Sequence, residues 1–190
     1  MREGSYTLDI SVAPAAAFAF LADPRNAAEW FAPVAYAPLT VDGATARAQT
    51  NSSREGAIWR FTPTRRGAAI PMRMASYAPP VSFAWETTYG GWRDNLRWEV
   101  VCTPEQGKQA GVSVRMTIRI EPGPLGWLIL GLTAPFGRFR QGGLTRRAQR
   151  ALERARDALI AYDEVYTDRT ARRRQRRSQI STRRRPGKAR

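Results

Sequence analysis

Two-residue alternation, repeated in segment after segment, limits this chain more than any other feature. In 112–121, Val112, Val114, Met116, Ile118 and Ile120 interleave with Ser113, Arg115, Thr117, Arg119 and Glu121. Asp94, Leu96, Trp98 and Val100 alternate with Arg93, Asn95, Arg97 and Glu99. Phe83, Trp85, Thr87 and Tyr89 alternate with Ser82, Ala84, Glu86 and Thr88. Ile70, Met72 and Met74 alternate with Pro71, Arg73 and Ala75, and Trp59 and Phe61 share a face within 57–62. Near the start, Tyr6, Leu8, Ile10 and Val12 alternate with Ser5, Thr7, Asp9 and Ser11. With the stretch 34–41, the pattern predicts seven strands. Successive side chains of a strand point to opposite faces, so one apolar face per strand means an antiparallel sheet covering a core on one side. Turn chemistry separates the segments at Arg66-Gly67, Pro79-Pro80, Gly90-Gly91 and 104–111.

Two regions break the alternation in favour of helix. The run APAAAFAFLADPRNAAEWF, residues 13–31, follows a strand and not the positive leader of a signal peptide, and the apolar run 12–22 is too short to span a bilayer. Pro14 suits a first helical turn. Asp23-Pro24 ends that helix, and Asp23 can cap a second short one holding Ala27, Ala28, Trp30 and Phe31. Much later, Leu144, Ala148, Ala151, Leu152, Ala155, Leu159, Tyr162 and Tyr166 recur at spacings of three and four. The opposite face of that long helix is assigned Arg147, Arg150, Glu153, Arg154, Arg156, Asp157 and Asp163. The class is therefore α+β.

Composition narrows the chemistry. The chain has no histidine and one cysteine, Cys102. That excludes His-based metal sites, Ser-His-Asp and Cys-His systems, and the easiest general base near neutrality. No cofactor and no metal site are expected. A lone cysteine forms no internal disulfide, which fits a reducing, cytoplasmic setting, with attachment to a membrane periphery kept open. The formal net charge is +15. Eleven of the 31 Lys and Arg lie in 169–190, which holds no Asp or Glu, so 1–168 carries 20 basic against 16 acidic residues.

Residues 12–30 read Val-x-Pro-x-x-x-Phe-x-Phe-Leu-Ala-Asp-Pro-x-Asn-x-x-x-Trp. This resembles the N-terminal signature of the START-like (SRPBCC) superfamily, closest to its polyketide cyclase/dehydrase-like branch. The order strand, two short helices, six strands, long helix matches over most of the chain. The resemblance implies a helix-grip fold: a curved seven-stranded antiparallel sheet with two short N-terminal helices and one long C-terminal helix, within a domain 1–166. It also implies a hydrophobic ligand held between sheet and helix.

The predicted ligand-binding residues follow from that placement. Trp59, Phe61, Met72, Met74, Trp85, Thr87, Tyr89, Trp98 and Met116 face the helix by strand parity, and Ala151 and Ala155 are the small residues opposite them. Small residues opposite large ones either interdigitate in a solid core or leave room for a guest. The segment 125–140 adds Leu128 and Leu132, and three readings fit it: a lid over the cavity mouth, an internal plug, or a membrane-surface contact. The expected function is binding of a lipid, polyketide or aromatic metabolite. A second hypothesis is a polyketide cyclase or dehydratase in which Asp94 or Tyr89 moves a proton.

The end of the chain, 167–190, is expected to be a disordered basic tail, since it is highly charged and poor in apolar residues. Arg172, Arg173, Arg174, Arg176, Arg177, Arg183, Arg184 and Arg185 are its candidate polyanion-binding residues. Non-specific contact with nucleic acid, contact with anionic membrane, and simple solubilisation are all compatible with such a composition. In a third hypothesis, the protein acts mainly as a nucleic-acid-associated scaffold.

Overall fold

The structure, a computed structural model, describes residues 1–31, 34–38, 55–63, 70–87, 95–105, 111–124 and 138–183. Seven strands form a single antiparallel sheet: β1 (Arg2–Ile10), β2 (Val34–Pro38), β3 (Ile58–Pro63), β4 (Ile70–Ala78), β5 (Ser82–Thr87), β6 (Asn95–Pro104) and β7 (Val112–Glu121). Their order is β1-β7-β6-β5-β4-β3-β2, a meander whose first strand closes onto its last. Register matches parity. Trp85 lies opposite Trp98 and Met74, Trp98 opposite Ile118, and Ile118 opposite Gly4, so one continuous apolar face runs across the strands. The other face carries cross-strand charge. Arg119 donates to Glu3 at 2.7 Å and lies 3.7 Å from Glu99, while Glu86 pairs with Arg73 and, at 3.6 Å, with Arg97.

Three strands depart from the predicted outline, and the first of them, β1, begins at Arg2 and ends at Ile10, short of Val12. β6 runs on from Val100 to Pro104, because Thr103 and Pro104 still find partners in Ser113 and Val112. In β4 the register shifts between Met74 and Ser76. The extra residue, Ala75, reverses the parity beyond it, and Tyr77 instead of Ser76 pairs with Phe83 and packs on Phe18.

α1 (Pro14–Ala22) starts with its proline in the first turn. A 3-10 turn (Pro24–Asn26) is capped by Asp23, whose Oδ1 accepts the Arg25 N–H at 3.0 Å. Asn26 Nδ2 donates to the Phe20 carbonyl at 3.0 Å, satisfying one of the carbonyls left free at the end of α1. α2 (Ala27–Trp30) follows directly.

The long helix α3 spans Arg138–Arg183. Leu144, Ala148, Leu152, Ala155 and Leu159 form its buried stripe. It crosses β1 so closely that a Cβ at Gly4 would sit 2.5 Å from the Thr145 nitrogen and 2.7 Å from the Leu144 Cβ. Further along, Tyr162 packs on Phe20 and Asp163 accepts the Ala13 N–H at 3.3 Å.

The expected disorder from residue 167 is corrected here, because α3 continues to Arg183. Composition alone misjudged this stretch. Arginine, glutamine and alanine are good helix formers, and lengthening an existing helix needs no new nucleus. The Asp168–Arg172 pair, 2.9 Å apart at i,i+4, and the Thr170 hydroxyl bond to the Thr167 carbonyl at 2.8 Å support the extension. At about 1.5 Å per residue, the 46 residues of α3 span about 70 Å and outrun the sheet. Among the described residues no helix is long and apolar enough to cross a membrane.

Candidate functional site

The concave face of the sheet is filled at its centre. Trp59, Phe61, Met72, Met74, Trp85 and Met116 have almost no exposed surface. The filler comes from α2 and the residue after it. Trp30 stacks on Trp85 with ring centroids 5.0 Å apart, and Phe31 reaches Trp98 at 4.8 Å and Phe61 at 5.4 Å. Trp59 meets Trp85 edge-on at 5.4 Å. Such offset and edge-to-face pairs add to what the buried area contributes. The indole N–H groups of Trp30, Trp59 and Trp85 have no acceptor among the described residues.

Beside this plug, toward the start of α3, sheet and helix separate. A cavity of about 350 Å³ opens there. Phe31, Ile70, Leu96, Trp98 and Ile118 make its apolar floor, and Arg147, Arg150, Ala151 and Arg154 make its helical side. Ala151 belongs to the buried stripe and stays 8 % exposed because the cavity lies against it. Arg147, Arg150 and Arg154, at i, i+3 and i+7, border the stripe on one flank. The expected assignment of these arginines to the opposite helix face is corrected: they line the mouth. Among the described residues none of the three has a carboxylate partner.

Of the predicted binding residues, the structure brings Trp98 and Ala151 to the cavity. Trp59, Phe61, Met72, Met74, Trp85, Met116 and Ala155 lie in the filled core. Thr87 is buried, and its Oγ1 accepts the Leu96 N–H at 2.9 Å. Tyr89, Asp94, Leu128 and Leu132 lie outside the described residues. Arg172 is paired with Asp168. Arg173, Arg174, Arg176, Arg177 and Arg183 fall within α3, while Arg184 and Arg185 lie outside the described residues. Sequence reasoning did not single out Phe31, Ile70, Leu96, Ile118 or the three arginines as site residues. The signal for the arginines was present: on a helical wheel they adjoin Ala151.

The titratable groups with shifted behaviour sit away from the cavity. Burial pushes the Cys102 thiol up to about 12. Burial, and then the Asp23 carboxylate, raise Tyr77 and Tyr162. All three stay protonated at neutral pH and are unreactive as bases or nucleophiles. Among the described residues no three His, Cys, Asp or Glu side chains converge to hold a metal ion.

Residues 1–162 match the family described as polyketide cyclase / dehydrase and lipid transport. Among curated proteins, none matches the chain by sequence. Solved structures share its fold at low identity. One is a protein from Mesorhizobium loti, with a TM-score of 0.55 and 14 % identity over 84 % of this chain and 97 % of that one. A Thermus thermophilus protein gives a TM-score of 0.54 and 14 % identity over the same shares. A Staphylococcus aureus protein of unknown function gives 0.53 and 9 %, over 88 % of this chain and 97 % of that one.

Proposed function

The chain belongs to the polyketide cyclase / dehydrase and lipid transport family, and from that premise we propose that it binds a hydrophobic small molecule between α3 and the β6–β7 part of the sheet. One observation carries the reading: a cavity of about 350 Å³ with an apolar floor lies beside the packed aromatic cluster of the core. That size falls at the lower end of the roughly 300–1,000 Å³ usual for small-molecule pockets. Binding is favoured over turnover because the described lining offers no proton-transfer group. Its polar members are arginines, which stay protonated and serve neither as base nor as nucleophile. Native mass spectrometry of the purified protein, with organic extraction, tests the reading. A stoichiometric apolar guest lost in Ala151→Trp supports it. A guest retained in that variant places the site elsewhere.

A second reading concerns the far end of α3. The helix extends past its last buried stripe residue, Leu159, through an arginine-rich stretch to Arg183. A basic helix held away from the body suits electrostatic contact with a polyanion. Loss of heparin retention on deleting residues 167–190 supports this reading, and unchanged retention removes it.

A further inference from the structure

We infer that the ligand of the cavity is an anionic amphiphile, with a carboxylate or phosphate head held by Arg147, Arg150 and Arg154 and an apolar chain on the Phe31–Leu96–Trp98 floor. The inference rests on the cavity being the binding site and adds the chemistry of its occupant. Three guanidinium groups on one helix flank, within about 10 Å along the axis, repel one another. Several other arginines do have carboxylates beside them: Arg119 sits with Glu3 and Glu99, Arg73 and Arg97 with Glu86, and Arg172 with Asp168. At the cavity mouth the described residues provide no such carboxylate, while the floor below is apolar. Guanidinium forks match the two oxygens of a carboxylate or phosphate and bind them by charge-assisted hydrogen bonds. A purely apolar guest would leave those donors unused, and a cationic one would be repelled. Arginine stems covering apolar surface with their heads in water is the competing account, and it makes no distinction between head groups.

Calorimetry with four twelve-carbon probes below their micellar concentrations separates the two accounts: dodecanoate, dodecyl phosphate, dodecanol and methyl dodecanoate. The expected result is that at least one anion binds about tenfold or more tighter than the two neutral probes, as hydrogen bonds to charged groups imply. The triple variant Arg147→Gln, Arg150→Gln, Arg154→Gln should abolish that preference while still binding dodecanol. The equally charged control Arg115→Gln, Arg156→Gln, Arg169→Gln should keep it. Comparing the two anions shows which oxyanion the rim prefers. Equal binding of all four probes, or a preference that survives in the triple variant, overturns the inference and leaves the cavity reading intact. Failure of every probe, dodecanol included, overturns both.

Discussion

The two ends of the interface between α3 and the sheet are built from similar strands and the same helix, yet they differ in density. At the end nearer α1, Phe18 packs on Tyr77 and Phe83, Phe20 meets Tyr162, and Val12, Cys102, Val114 and Leu159 are sealed beneath them. At the other end, Leu96, Trp98 and Ile118 face Ala151 across open space, with three arginines above them. α1 supplies the difference at the first end. Its Phe18, Phe20 and Leu21 fill the volume between sheet and helix, whereas α2 reaches only as far as Trp30 and Phe31. A cavity thus arises where the short N-terminal helices run out, with no change in the strand pattern.

The largest effect expected from breaking this contrast is at the dense end. Phe83→Ala should cost about 3–5 kcal/mol in urea unfolding, as buried aromatic truncations do, with ligand affinity little changed. The same replacement made one turn apart sharpens it further. Ala155→Trp, in the sealed stripe, should destabilise by about 1–3 kcal/mol through overpacking. Ala151→Trp, against the cavity, should leave the midpoint nearly unchanged and remove binding. Equal destabilisation by the two would show that the cavity does not accept a side chain. Gly4→Ala tests how the helix is seated. The added methyl would meet the Thr145 and Leu144 backbone and push α3 off β1. A loss of about 1–3 kcal/mol is expected in thermal or urea unfolding.

The smallest effect concerns the thiol of the dense end. In the folded protein Cys102 titrates near 12, against an ordinary value of 9.0. Above that ordinary value the unfolded chain releases the proton while the native state keeps it, so the unfolded state binds fewer protons and stability falls as pH rises. The contribution is complete below about pH 9 and is lost progressively toward about pH 12. Cys102→Ala should therefore flatten the fall in urea midpoint between about pH 8 and about pH 10. Tyr77 and Tyr162, also raised, are present in both proteins and cancel in the comparison. An identical slope in the variant would mean that Cys102 is more open than its burial implies.

Much of the fold was legible in the residues. Parity placed Trp59, Phe61, Met72, Met74, Trp85, Trp98 and Met116 on the buried face, and all of them are there. The site was less legible. Those same residues were candidates to hold a guest, and of them only Trp98 borders the cavity. Alternation says which face a side chain takes but not what occupies the space in front of it. Tyr77 shows a related limit: its inward position depends on the irregularity around Ala75, which parity counted from Met74 does not reveal. The helical extension was missed because disorder was judged from composition, without the helix that precedes it.

What the sequence by itself determined is local and periodic: the strands, their inward faces, the stripe on α3 and the breaks around Asp23-Pro24. These follow from backbone periods of two and 3.6 residues, which neighbouring residues enforce on one another. Only the tertiary structure decided where free volume remains. That depends on how closely α3 can approach at Gly4, on the indole of Trp30 filling the space over Trp85, and on Phe31 stopping at Trp98. Packing sums volumes from residues far apart in the chain, and a cavity is what that sum leaves over.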